Sequence, residues 1–166
     1  HSDNGSNHLI DGAAIYSEAN IIVRNSLFFG QNVTGTSNAK TFSSSLYINP
    51  SYDDNQGNAN GGKTFIINNT FENFDERNGF AVSNQSQGQT TKAFVYNNIF
   101  GSNISNKTSG YIGPKVDAYI GYNLYQSEKI YFDNGATIRD NSNNLETENL
   151  GFKDRSNRNY SLKPSS

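Results

Sequence analysis

The sequence predicts an all-β solenoid, a stack of short strand-and-turn rungs, on three observations. An eight-residue pattern recurs four times, as IIVRNSLF (21–28), TFIINNTF (64–71), AFVYNNIF (93–100) and AYIGYNLY (118–125). Its apolar residues alternate as strands require and do not fall at helical spacing. Turn formers are abundant: the 166 residues include 27 Asn and 15 Gly, with no Cys, Met or Trp.

Aligned on the last aromatic, successive copies are 43, 29 and 25 residues apart. A shorter strand pattern precedes the first three, at 14–16, 46–48 and 81–83. Each unit therefore holds a short strand, a connection, and a longer strand ending in an Asn-containing turn. Such units stack because none can bury its apolar face alone. Val23, Ile66, Val95 and Ile120 take one inward register, and Phe28, Phe71, Phe100 and Tyr125 another. Ser26, Asn69, Asn98 and Asn123 align at the corner. Asn tolerates the left-handed conformation a sharp corner needs, and its amide can bond its equivalent in the next rung. We expect one domain: an irregular lead-in over 1–11, about four to five rungs over 12–140 with long loops, and a C-terminal cap over 141–166.

Composition bounds the function. Leu, Ile, Val and Phe number 36, just above the level below which chains stay disordered. A net charge of −2 without a basic cluster gives no footprint for nucleic acid. No run of about 18 apolar residues exists, so no membrane span is expected. Without Cys, disulfide frameworks and Cys-ligated zinc are excluded.

The outward face of the repeated strand is the informative one. If Val23 and its equivalents point inward, their neighbours point out. One outward row is Ile22, Phe65, Phe94 and Tyr119; the other is Arg24, Ile67, Tyr96 and Gly121. A solvated face would carry Thr, Ser, Lys or Glu, and an aromatic stripe marks a binding surface or interface. Phe65, Phe94, Tyr96 and Tyr119 are therefore candidate ligand contacts whose rings suit sugar faces, with Arg24 for a carboxylate or sulfate. The competing account is that a loop folds back and buries the stripe as a satellite core.

Long connections at 30–41, 50–63, 84–91 and 101–115 are binding loops or excursions. Asp53, Asp54, Glu72, Asp75, Glu76 and Arg77 read as solvated loop charges. Lys63 and Lys92 either present ammonium groups or guard an edge against strand pairing. His1 with His8 resembles a copper-binding pair in type alone, and a chain boundary explains them more simply.

The stretches GAAIYSEANIIVRNSLFFGQN, KTFIINNTFENF and KAFVYNNIFGSN resemble the coils of the right-handed parallel β-helix, the fold of pectate-lyase-like proteins. The tail NLGFKDRSNRNYSLKPSS (149–166) resembles the closing segment of secreted bacterial β-helix proteins. The resemblance implies a right-handed parallel β-helix with a C-terminal capping strand, secreted or on the cell surface, whose partner is a polysaccharide or oligosaccharide. It also implies a polysaccharide lyase or related carbohydrate-active enzyme with a Lys or Arg base. Lyases of this type often carry an acidic Ca²⁺ site, to which Asp53, Asp54 and Asp75 could contribute once a loop gathers them. No other cofactor is expected.

The Asn-Thr-Asp, Asp-Asp and Gly-His-Gly series of polygalacturonases is absent, as is the Asn-x-Lys with Arg-His pairing of alginate and chondroitin lyases. No catalytic residue is therefore assigned. An enzyme of this family would hold its centre in rungs outside the chain, which would then be the C-terminal part of a longer β-helix. Further rungs, or another chain, would adjoin its N-terminal end. The alternative is a noncatalytic adhesin or structural module whose stripe docks a protein partner.

Overall fold

Each repeat folds as one turn of a coil with three strands. In the computed structural model, residues 12–17, 19–29, 44–49, 62–72, 78–84, 90–101, 108–126, 130–154, 156–157 and 159–164 are described. Rung one holds β1 (Gly12–Ser17), β2 (Ile22–Arg24) and β3 (Leu27–Phe29), and rung two β4 (Ser44–Ile48), β5 (Lys63–Ile67) and β6 (Thr70–Glu72). Rung three holds β7 (Asn78–Val82), β8 (Thr91–Tyr96) and β9 (Ile99–Phe100). Rung four holds β10 (Thr108–Ile112), β11 (Val116–Gly121) and β12 (Leu124–Tyr125). Rung five holds β13 (Ile130–Phe132), β14 (Thr137–Ser142) and β15 (Leu145–Glu146). A hairpin of β16 (Phe152–Asp154) and β17 (Asn159–Leu162) follows.

Equivalent strands of successive rungs pair in parallel, giving three five-stranded sheets in the orders β1-β4-β7-β10-β13, β2-β5-β8-β11-β14 and β3-β6-β9-β12-β15. The molecule is an all-β parallel β-helix, as the repeats predict. No helix of the described residues is long and apolar enough to cross a membrane.

The inward registers hold. Val23, Ile66, Val95 and Ile120 are buried in line, and Phe28, Phe71, Phe100 and Tyr125 form a second buried column. Rings in that column stack at 4.7, 5.1 and 5.3 Å between centroids, within 6–11° of parallel. These separations are close to the strand spacing of a sheet, so the backbone itself sets the stacking. Burying each ring contributes about 1.5–3 kcal/mol.

The corner divides two jobs that the sequence reading gave to one residue. The left-handed conformation falls on the preceding residue: Asn25, Asn68, Asn97, Tyr122 and Asn143, with φ of 54–56°. The aligned residue is free to build a ladder. Backbone N–H groups of Ser26, Asn69, Asn98 and Asn123 donate to the Oδ1 of Asn69, Asn98, Asn123 and Asn144 at 2.9–3.1 Å. The Nδ2 groups of Asn69, Asn98 and Asn123 donate back to the carbonyls of Val23, Ile66 and Val95. Each amide thus joins adjacent rungs through both of its ends, where an unbonded buried amide would cost about 1–3 kcal/mol.

Two features go beyond the sequence reading. Part of the expected 101–115 connection is strand β10, whose Gly110 stands in register with Phe80. A Cβ there would meet the Phe80 ring at 2.2 Å, so Phe80 fills the interior for both rungs and the apolar signal of β10 is muted. The coil also runs on through β14 and β15 to Glu146. The hairpin then turns away. Phe152 is buried edge-on to Tyr160, whose ring lies 5.6 Å from Phe29 of rung one. The hairpin therefore reaches back to rung one.

Candidate binding face

The outer face of the second sheet is built by register. Its first row is Lys63, Lys92, Asp117 and Thr137; its second is Ile22, Phe65, Phe94, Tyr119 and Asp140; its third is Arg24, Ile67, Tyr96, Gly121 and Ser142. All five sequence-predicted contacts, Arg24, Phe65, Phe94, Tyr96 and Tyr119, lie on this one face. Arg24 and Ile22 are exposed, and Phe65, Phe94, Tyr96 and Tyr119 are half-buried. On the first sheet, Tyr47 and Ala81 are buried without belonging to the core cluster.

The rings are arranged differently from a row of open platforms. Phe65 stacks on Phe94 at 4.9 Å and Phe94 on Tyr119 at 4.8 Å, each within 12° of parallel. Phe94 has a ring against both faces, and parallel rings one strand spacing apart turn their faces along the stack. What Phe94 offers a ligand is its rim.

Tyr96 is held in place. Its ring lies across Gly121, where a Cβ would come within 2.8 Å of it, and its hydroxyl donates to the Asp140 carboxylate at 3.2 Å. One side chain thereby ties rung three to rung five. Burial, followed by the bond to Asp140, pushes the Tyr96 hydroxyl above the ordinary tyrosine range. The sequence reading missed Asp140, because the strand that carries it lacks the repeat's apolar residues.

Charge is unevenly spread along the face. Lys63 and Lys92 are exposed and are register partners on adjacent strands. They do not guard an edge, since β5 and β8 are inner strands of their sheet. Like charges directly opposite one another destabilise a sheet. The next residue in their row, Asp117, pairs with Arg139 at 3.2 Å. Among the described residues, no carboxylate forms an ion pair with Arg24, Lys63 or Lys92. The face therefore presents cations in rungs one to three and balanced or hydrogen-bonded acids in rungs four and five.

A second aromatic row lies on the first sheet, where Tyr16, Tyr47, Ala81, Tyr111 and Tyr131 share a register. Tyr111 donates to Asp133. Burial first, and this bond second, hold its hydroxyl above the ordinary range.

Among the described residues no group of three or more His, Cys, Asp or Glu is placed to hold a metal ion. Asp53, Asp54, Asp75, Glu76, Arg77, His1 and His8 lie outside the described residues, as do the 30–41 connection and positions 50–61. Glu72 is buried in β6. No protein-family model, curated protein or solved structure matches the chain.

Proposed function

We propose that this is a secreted or cell-surface β-helix module that binds an acidic polysaccharide along the outer face of its second sheet. The observation that carries this is the Lys63–Lys92 pair. Two ammonium groups set opposite each other inside a sheet, with no acid partner among the described residues, leave a repulsion that a bound anion relieves. Arg24 adds a guanidinium on the far side of the ring stack, suited to a carboxylate or sulfate. A chain laid along the face would meet cations in consecutive rungs and the apolar rims of Phe65, Phe94 and Tyr119 between them.

The resemblance to pectate-lyase-like coils supports the same ligand class. Exposed charge contacts contribute about 1 kcal/mol or less each, so affinity must be summed over several rungs and therefore over several sugars.

Titration calorimetry with a polyuronate oligosaccharide and with a neutral glucan of equal length tests this reading. Binding should be confined to the acidic chain, weaken as salt is raised, and fall at least tenfold in Lys63→Gln/Lys92→Gln. Equal binding of the neutral glucan, or an unaffected double variant, would refute it. Appearance of unsaturated sugar ends during incubation would add lyase activity to the binding.

A further inference from the structure

The outer face of the second sheet is divided along the stack. Among the described residues, its rungs one to three carry Arg24, Lys63 and Lys92 and no acid. Rungs four and five carry Asp117, Arg139 and Asp140, of which Asp117 and Arg139 pair at 3.2 Å. Asp140 is left as the charge without a cation beside it. A carboxylate chain that covered all five rungs would set its far end against that charge. Like charges brought together in this way reject a partner.

What the second half offers is hydrogen bonding. Asp140 accepts from Tyr96 through Oδ2, and among the described residues its Oδ1 has no donor. Tyr119 shares a register row with Asp140, and Tyr122, 61% exposed, stands at the corner beside Gly121. After burial and Asp140, the Tyr119 and Tyr122 hydroxyls add to the push that raises the Tyr96 hydroxyl, so the three phenols are close together. Among the described residues, neither the Tyr119 nor the Tyr122 hydroxyl has a hydrogen-bond partner. Phenol O–H groups beside a carboxylate oxygen supply the donors and acceptor that the hydroxyls of an uncharged sugar require.

Tyr122 is also out of place as a corner residue. It holds a left-handed φ of 56°, where the other four rungs use Asn. That conformation costs a residue such as Tyr more than Asn, and a cost of this kind is retained where the side chain has a use. An exposed ring beside free hydroxyls is suited to the apolar face of a sugar.

On the acidic-polysaccharide reading, on which this rests, we infer that the face takes a glycan of mixed charge. Acidic sugars lie over rungs one to three and continue into uncharged sugars over rungs four and five. Asp140 rejects a further carboxylate, and Tyr119, Tyr122 and Asp140 hold the neutral part.

Titration calorimetry with two oligosaccharides of equal length tests it, one uronate throughout and one with uronates in one half and neutral hexoses in the other. The half-charged chain should bind roughly fivefold more tightly, the reverse of the order that charge alone would set. Asp140→Asn keeps an acceptor for Tyr96 and removes the charge; it should tighten the uniform chain and narrow the gap. Tyr122→Asn installs the residue of the other four corners, so a cooperative melt should persist while the half-charged chain binds several-fold more weakly. Should neither chain bind the wild type, the acidic-polysaccharide reading falls and mixed-charge selection with it. Equal or tighter binding of the uniform chain, or a gap that neither substitution moves, overturns mixed-charge selection alone and leaves the acidic reading standing.

Discussion

Tyr160, in the last strand, sets its ring 5.6 Å from that of Phe29 in the first rung. The last strand is thereby fastened to the first rung. An aromatic pair of this kind contributes about 0.5–1.5 kcal/mol beyond burial. Tyr160→Ala should lower stability by about 1–2 kcal/mol and speed amide exchange in β16 and β17. Exchange in the inner strands β5 and β8 should change little, because local opening follows local contacts. Equal acceleration everywhere would show that the hairpin is needed for the coil as a whole.

The amide ladder makes a sharper prediction. Asn98 is buried, accepts from Asn69 and donates to Ile66 and Asn123. Asn98→Ala should cost at least about 2 kcal/mol in denaturant unfolding, since it strands buried partners. Ser26→Ala should cost far less, because the Ser26 hydroxyl bonds only Arg24 of its own rung, at an exposed site. Similar costs for the two would contradict the ladder.

Tyr122 is an exposed ring at the left-handed corner position that Asn holds in the other four rungs. The left-handed conformation costs an ordinary residue roughly 1–2 kcal/mol, and Asn relieves part of it. Tyr122→Asn should therefore stabilise the protein by up to about 1 kcal/mol, read as a raised melting temperature.

Alkaline pH gives a further check. Burial holds the Tyr125 hydroxyl above its ordinary value, against a smaller opposing bond from Asn123. Tyr111 and Tyr96 are raised by burial and by Asp133 and Asp140. A tyrosine with a raised folded value binds its proton more tightly in the native state. Its contribution is whole below the unfolded value of about 10 and is lost as pH rises past it. Unfolding free energy should fall above about pH 10, and less steeply in Tyr125→Phe; a parallel fall in the variant would remove Tyr125 as a cause.

Four of the five rungs were legible because their inward residues alternate with outward ones and end in an aromatic and an Asn. Rung five was not, since Asn141 and Glu146 stand where Ile120 and Tyr125 stand one turn earlier, and only the Asn143-Asn144-Leu145 corner echoes the repeat. Strand β10 was hidden by Gly110, whose place in the interior is filled by a neighbour's ring. On the candidate face, the five candidate residues were placed together by their spacing in the repeat. Which ring faces are taken, and where Tyr96 finds its partner, depend on neighbours two rungs away in space and 44 residues away in sequence.

An acidic glycan bound as proposed lies over rungs one to three of the second sheet. The most direct measurement is chemical-shift mapping of the isotopically labelled protein titrated with a polyuronate oligosaccharide. The largest shifts should fall at Arg24, Lys63, Lys92 and the rims of Phe65 and Phe94, and fade towards Asp117 and Asp140. Shifts centred on the tyrosine row of the first sheet, or none at saturating oligosaccharide, would contradict it.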